Sequence, residues 1–522
     1  MGVVLSLDDA NKLPPGQHKQ WAYNALDCTG TREIADVLLP RLGPMEARTY
    51  AFERALQAPF LAMMRRGVNV DTQARSMALA HLTREFNRDI KAVQKMEGVA
   101  GIWDVMVTET GMCPEAFGKH HKWPRGVEDG PERRCERCGV SRMKLSEFNP
   151  SSNPQCMHLL YELHAVKKLA NKDGEVAMDD DILERIGKQT KLLHNITEAI
   201  RDIRDQKKQI GFLGAKLTPD ARYPSSFNVG AAWTGRASSS KNPFGLGGNL
   251  QNVAEQHRHI FVADPGYEMF YADLKQAESL AVAYLAEDPE YIRAHKTGDT
   301  HTFVSRLLWP DMPWTGDLVQ DKALAKSLPE WDPVPGHDFR FQAKRIQHGS
   351  NYGLTPFGIA MIAHIPVRIA SEAQLRYFHH FPFIRKWQKS IAKEVEGSEA
   401  LINAVRRRIR LFGRPWDAHT YKQGLAYKPQ SLVADILDLA IFRVWDRFDP
   451  QLLQLLAQVH DAILGQFPTI HREAAIETLV RCMSIPVQFG DEYMTIPVEI
   501  AVGSNWGHKG PKNPYGLEGV YG

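Results

Sequence analysis

Apolar residues recur at three- and four-residue steps through AFERALQAPFLAMMRRG and SMALAHLTREF, so residues 46 to about 97 are predicted to be helical, with a break at RGVNVD. Residues 100–150 lose this periodicity and become rich in Gly, Pro and His, the texture of an inserted module. Helical spacing returns over 158–212. From about 216 a run of Ser, Gly and Asn predicts loops, after which YEMFYADL reads as a strand leading into the helix AESLAVAYLAEDPEYI. Residues 299–400 are predicted to be mostly helical. Two apolar runs in QLLQLLAQVHDAILGQFP flank His460 and Asp461 and predict a hairpin with that pair at its tip, and MTIPVEIAVG reads as a late strand. There is no internal repeat.

One stretch, RFQAKRIQHGSNYG (340–353), carries Arg340, Lys344, His348 and Tyr352 at a four-residue step. On an α-helix these lie along one face. That face is cationic at one end and aromatic at the other, the polarity of a nucleoside triphosphate. The competing reading is a solvated helix with two buried rings.

Composition narrows the class. The chain has 522 residues, 43% hydrophobic and 24% charged, as expected for a globular protein of two to four domains. No apolar run reaches about 18 residues, so no membrane span is predicted. Six cysteines in this length do not make a disulfide scaffold and fit a reducing compartment. The net charge of +3 says little about a polyanionic partner, but RRRIRLFGR gathers Arg406, Arg407, Arg408, Arg410 and Arg414 into a patch suited to phosphate.

Asp273 is predicted at the end of a strand and Asp461 at the tip of a hairpin. Carboxylates in apolar surroundings need a cation or another partner. Two on adjacent strands could hold a pair of Mg²⁺ ions about 3.5–4 Å apart for phosphoryl transfer. Each could also cap a helix or a turn.

A strand-end Asp, a helix with the Arg/Lys/ring stripe and a hairpin-tip Asp, in that order, resemble the family A DNA polymerases. DLKQAE (273–278) looks like motif A, RFQAKRIQHGSNYG like motif B and QVHDA (458–462) like motif C. TGRASSS (234–240) and NLQN (249–252) match primer- and template-contacting loops, DTHT (299–302) the start of the fingers, and FNPSSNPQ (148–155) and DDDILERI (179–186) thumb sequences. The resemblance runs over about 46–510.

It implies an α+β right-hand fold. The palm, an antiparallel sheet bearing both aspartates, would comprise 216–298 and 401–522. The fingers would be 299–400, and the thumb 46–215 with a Cys/His insertion at about 100–147. It implies a DNA-directed DNA polymerase, a nucleotidyltransferase of DNA replication that extends a primer 3′-hydroxyl with dNTPs. Asp273, Asp461 and the Leu274 carbonyl would hold two Mg²⁺ ions. Arg340, Lys344 and His301 would hold the phosphates, with Lys344 also catalytic. Gln276, His348 and Tyr352 would meet the nucleotide, and Glu278 would exclude a 2′-hydroxyl. Arg236, Gln251, Asn252, Gln430 and His460 would contact the minor groove of the primer–template, where they test fit rather than sequence.

The chain departs from the family pattern in three places. His348 stands where Phe or Tyr is usual. Ala462 replaces the usual Glu of motif C and cannot be a ligand. At the N-terminus, YNALD (23–27) resembles the last motif of a 3′–5′ proofreading exonuclease, with Tyr23 and Asp27 matching, but the earlier carboxylate motifs do not precede it. Residues 1–45 are therefore expected to be an inactive remnant, and a separate exonuclease or processivity subunit is a conceivable partner. Cys113, His120, His121, Cys135 and Cys138 have spacing suited to Zn²⁺, the alternative being a flexible insert with reduced thiols. The compact layout suggests a bacteriophage protein working in the cytoplasm of a bacterial host. Two other readings are a single-subunit RNA polymerase, disfavoured by Glu278 and the TGR and NLQN loops, and a non-catalytic primer–template scaffold, disfavoured by intact Asp273, Asp461 and Lys344.

Overall fold

The computed structural model describes residues 18–99, 104–105, 133–134, 141–142, 145–146, 148–170, 175–332, 334, 336–398, 400–414, 417–447 and 452–522. Cys113, His120, His121, Cys135 and Cys138 lie outside the described residues. The chain forms two units. One comprises residues 1–69, 222–252 and 261–522, the other 70–221 and 253–260.

The larger unit begins with helices α1 (His18–Leu38) and α2 (Pro44–Arg66). Tyr23 and Asp27 lie four residues apart on α1, and both are exposed. Residue 46 was the expected start of a separate domain, but α2 belongs with the sheet. Arg66 Nη1 donates to the Leu455 carbonyl at 3.0 Å, and Phe52 packs edge-on against Phe442 at 6.3 Å.

In the smaller unit, α3 (Thr72–Val93), α4 (Asn153–Met157), α5 (Asp180–Gly187) and α6 (Lys191–Leu213) enclose a core of fully buried Leu159, Leu160, Ile182, Ile196, Ile200 and Ile203. Asp71, Ser152, Asp179 and Thr190 cap these helices, each side chain accepting from an amide of the first turn. Helix is not continuous over 158–212: among the described residues no α-helix covers 164–170 or 175–179, and Asp179 reopens it at 180.

The rest of the larger unit is built on five strands: β1 (Tyr267–Leu274), β2 (Gln454–Val459), β3 (Ala462–Pro468), β4 (Val498–Gly503) and β5 (Glu518–Tyr521). They are antiparallel in the order β2-β3-β1-β4-β5, so β1 is central. Phe270 sits opposite Gly465, and a Cβ there would meet the phenyl ring at 2.3 Å, so only glycine admits this packing.

The intervening chain is helical, as its periodicity predicts: α7 (Ala277–Leu285), α8 (Pro289–Lys296), α9 (Thr300–Leu308), α10 (Leu318–Ala325), α11 (Phe339–Asn351), α12 (Pro356–Ala363), α13 (Val367–His380) and α14 (Pro382–Gly397). They pack around one apolar core that includes Tyr291, Val304, Ile346, Tyr377, Phe381 and Ile384. α15 (Ala418–Arg447) and α16 (Arg472–Met483) complete the unit.

Candidate active site

The sheet brings the two predicted carboxylates together. Val459 pairs with Ala462, so His460 and Asp461 form a two-residue turn between β2 and β3. His460 takes φ +55°, the left-handed region that such tight turns use. Asp273 lies opposite Ala462 on one side and Glu499 on the other. The Leu274 amide donates to the Asp461 carbonyl at 3.2 Å, which fixes the turn against the end of β1. Gln276, at φ +52°, then bends the chain into α7.

α11 faces this strand end. Asp338 caps it by accepting from the Phe341 amide, and Gly353 at φ +70° ends it. Arg340, Lys344, His348 and Tyr352 all line one cavity of about 540 Å³. Asp273, Leu274, Gln276, Glu278, His460 and Asp461 line the same cavity, and His301 of α9 does too. The four-residue stripe is thus one wall of a pocket whose other wall is acidic.

Electrostatics follow from burial and neighbours. Burial, together with the charges of Asp461 and Glu499, pushes the Asp273 carboxyl up to about 7, while Lys344 pulls the other way. Burial and Glu278 push Asp461 up against the pull of Arg236. Arg236 Nη2 donates to Glu278 Oε1 at 2.5 Å and to Asp461 Oδ1 at 3.0 Å. The Tyr352 hydroxyl donates to Glu278 Oε2 at 2.6 Å. Burial works against ionisation of Asp299, but the Arg340 guanidinium, at 3.0 Å from each carboxylate oxygen, wins and holds it down at about 2. Burial and the Arg340 charge hold His301 at about 4, so it is neutral at pH 7. Burial likewise lowers His348, whose ring meets Tyr352 edge-on at 4.7 Å.

The residues predicted to meet DNA are placed differently. Arg236 joins the carboxylates directly. Gln251 Nε2 donates to Gln458 Oε1 at 2.5 Å, and Gln458 in turn donates to the His460 carbonyl. Asn252 is exposed in the adjoining turn (Leu250–Asn252). Gln430 is half-buried on α15 and does not line the cavity.

Other residues of the site have no local signature in the sequence. Glu499 lies in an ordinary strand pattern, and its place opposite Asp273 depends on sheet order. Asp299 was visible in DTHT but not its pairing with Arg340. Behind α11 lies a buried polar network. His301 Nδ1 is 2.7 Å from Gln347 Oε1, Gln347 and Asn351 donate to the Tyr291 hydroxyl at 2.6 and 3.0 Å, and Tyr377 donates to Asn351 at 2.8 Å.

The oxygen donors Asp273, Asp461 and the Leu274 carbonyl suit a hard cation. Among the described residues no group of three or more His, Cys, Asp or Glu forms a closed metal cage. Two carboxylates and a carbonyl are a donor set that a hard divalent cation can take with water and substrate phosphates completing its shell. The like charges that raise Asp273 are those a cation would relieve.

Residues 133–508 match the model of DNA polymerase family A. The chain is 25% identical over 398 residues to DNA polymerase I of Bacillus caldotenax, covering 73% of this chain and 42% of that protein. It is 26% identical over 390 residues to the thermostable DNA polymerase I of Thermus aquaticus, covering 70% and 42%. The chain therefore spans about two fifths of the length of these curated relatives. Among solved structures, the POL domain of Pol1 from M. smegmatis, in complex with DNA primer-template and dNTP, superposes with a TM-score of 0.64 at 21% identity, covering 87% of this chain and 70% of that one. The match spans the strand-end carboxylates, the α11 stripe and the hairpin turn in one continuous stretch, and the chain belongs to DNA polymerase family A.

Proposed function

We propose that this protein is a template-directed DNA polymerase that extends a DNA primer 3′-hydroxyl with dNTPs. The observation that carries the reading is the cavity in which Asp273 and Asp461 face Lys344 and Arg340. Mg²⁺ bound at the carboxylates would lower the pKa of the primer hydroxyl and neutralise charge on the triphosphate. The protein's own part is positioning, since phosphoryl transfer asks little covalent chemistry of it. Asp273, Asp461 and the Leu274 carbonyl supply the oxygens. Lys344 and Arg340 hold the phosphates, and His348, Tyr352 and Gln276 border the sugar and base. His301 is neutral and bonded to Gln347, so it orients the helix and adds no charge of its own. Glu278, held by Tyr352 and Arg236, stands as a fixed wall against a 2′-hydroxyl. Arg236, Gln251, Asn252, Gln430 and His460 are the residues we assign to the primer–template.

In this reading the sheet is the palm, α9–α14 the fingers and most of 70–221 the thumb. Tyr23 and Asp27 are exposed on one helix, and one aspartate does not make a two-metal nuclease, so proofreading is assigned to no residue of α1. A separate exonuclease or processivity subunit and a phage origin in a bacterial cytoplasm remain part of the proposal. So does Zn²⁺ at Cys113, Cys135, Cys138 and one of His120 and His121, which metal analysis of the native protein tests. Among the described residues no helix is long and apolar enough to cross a membrane.

The experiment is primer extension on a recessed DNA template with Mg²⁺ and dNTPs, wild type beside Asp461→Ala. Extension by wild type and its loss in the variant are expected. No extension by wild type refutes the reading.

A further inference from the structure

The cavity holds more cationic residues than it holds free charges. Arg340 shares its charge with Asp299 through two bonds of 3.0 Å. Lys275 is paired with Glu499 at 2.6 Å. Among the described residues lining the cavity, the lysines and arginines with no ion-pair partner are Lys344 and Lys322. Lys344 belongs to the stripe on α11. Lys322 does not. It is exposed and comes from α10, a helix outside the DTHT and RFQAKRIQHGSNYG stretches.

α10 is firmly anchored. Asp321, the neighbour of Lys322, is fully buried. It accepts from the Thr315 amide at 2.8 Å, the Thr315 hydroxyl at 2.9 Å and the Gly316 amide at 3.1 Å. It also pairs with Arg306 of α9 at 2.5 Å. Asp317 caps the helix by accepting from the Gln320 amide at 2.9 Å. Just beyond α10, the Ser327 carbonyl accepts from the Phe339 amide at 3.2 Å, which ties this segment to the first turn of α11, next to Arg340. Lys322 thus lines the cavity from a helix whose far end is tied to the Arg340 end of α11. The opposite end of the stripe is Tyr352, bonded to Glu278 beside Asp461.

With Lys344 and Arg340 holding the phosphates and the reacting phosphorus at Asp273 and Asp461, the outer phosphates of a triphosphate would lie toward the Arg340 end. We infer that Lys322 is a further nucleotide-binding residue, a cation on α10 that grips the terminal phosphate of the incoming dNTP and so selects triphosphates over diphosphates. This rests on the polymerase reading above. Lysine serves here as a point charge, the role in which it commonly binds phosphate.

The test is equilibrium binding of a correct dNTP, and of its dNDP, to the full-length protein on a primer–template ended by a dideoxynucleotide, so that no chemistry follows. Lys322→Ala is expected to weaken dNTP binding about five- to tenfold while leaving dNDP binding within twofold, and Lys322→Arg to restore most of the loss. Lys344→Ala, run in parallel, should weaken both ligands. The inference is overturned if Lys322→Ala binds dNTP within twofold of wild type, or if it loses dNTP and dNDP equally. If wild type binds neither ligand on primer–template, the polymerase reading fails and takes this inference with it. Correct binding by wild type with an indifferent Lys322 sinks the inference alone.

Discussion

Arg236 holds Asp461: its Nη2 lies 3.0 Å from Asp461 Oδ1 and, at the same time, 2.5 Å from Glu278 Oε1. A guanidinium thus sits where a divalent cation would draw on the same carboxylate. Without DNA the two compete. Arg236→Met is predicted to raise the affinity of the DNA-free protein for Mn²⁺ about fivefold, the worth of roughly 1 kcal/mol of ion pairing. Titration followed by the electron paramagnetic resonance of free Mn²⁺ reads this directly. Unchanged affinity would mean that Arg236 yields to the cation at no cost.

The raised Asp273 gives a pH signature. Its carboxyl titrates at about 7 in the fold against an ordinary 3.8, so the folded chain binds this proton more tightly than the unfolded chain. The stability it contributes is complete below about pH 4 and is lost as pH rises through 7. In chelator at pH 8, Asp273→Asn is therefore expected to melt several degrees above wild type. The gap narrows steadily as pH is lowered toward 4, and Mg²⁺ at pH 8 closes part of it from the wild-type side. Scanning calorimetry across that range checks the sign. A gap that ignores pH would discard the like-charge account.

His348 puts a neutral, polar ring edge-on to Tyr352. A ring nitrogen in the cavity can give a hydrogen bond to a nucleotide that has lost its own 3′-hydroxyl, and phenylalanine cannot. His348→Phe is predicted to increase discrimination against dideoxynucleotides about tenfold, the worth of one such bond. Competitive incorporation of ddNTP and dNTP measures the ratio. Equal discrimination by variant and parent would end the idea.

Asp321 is a stability prediction. Its removal strands the Thr315 and Gly316 amides and the Arg306 guanidinium together. Asp321→Ala should cost about 2 kcal/mol or more and lower the melting temperature, and Asp321→Asn should cost less because it keeps some of these bonds. A melting curve within a degree of wild type would show that α10 is not anchored as described.

The sequence disclosed elements with strong periods and residues with local signatures. The helices over 299–400, the strand ending at Asp273 and the hairpin at His460 and Asp461 each follow from a pattern within about 20 residues. The stripe from Arg340 to Tyr352 was legible because its period is the helix's own. Glu499 was hidden because its neighbour Asp273 lies far off in the chain and only the strand order joins them. Arg340's pairing with Asp299 and the neutral state of His301 were hidden for the same reason, since both depend on burial between α9 and α11. That α2 lies with the sheet was hidden because an amphipathic helix does not say which partner covers its apolar face, and α2 is covered by β2 and α15.

The polar seam behind α11 bears on how that helix can move. Gln347 and Asn351 both donate to the Tyr291 hydroxyl, and Gln388 of α14 donates to the carbonyls of Ser350 and Asn351 at 2.7 and 3.0 Å. A helix resting on aliphatic side chains can creep by fractions of an ångström with little change in energy. Hydrogen bonds weaken steeply off their geometry, so a helix seated on these four has detents in place of a smooth track. α11 shifts by carrying Tyr291 and Gln388 with it or by releasing them as a set. The wall that faces the cavity therefore behaves as an indexed part, and its positions are counted rather than continuous.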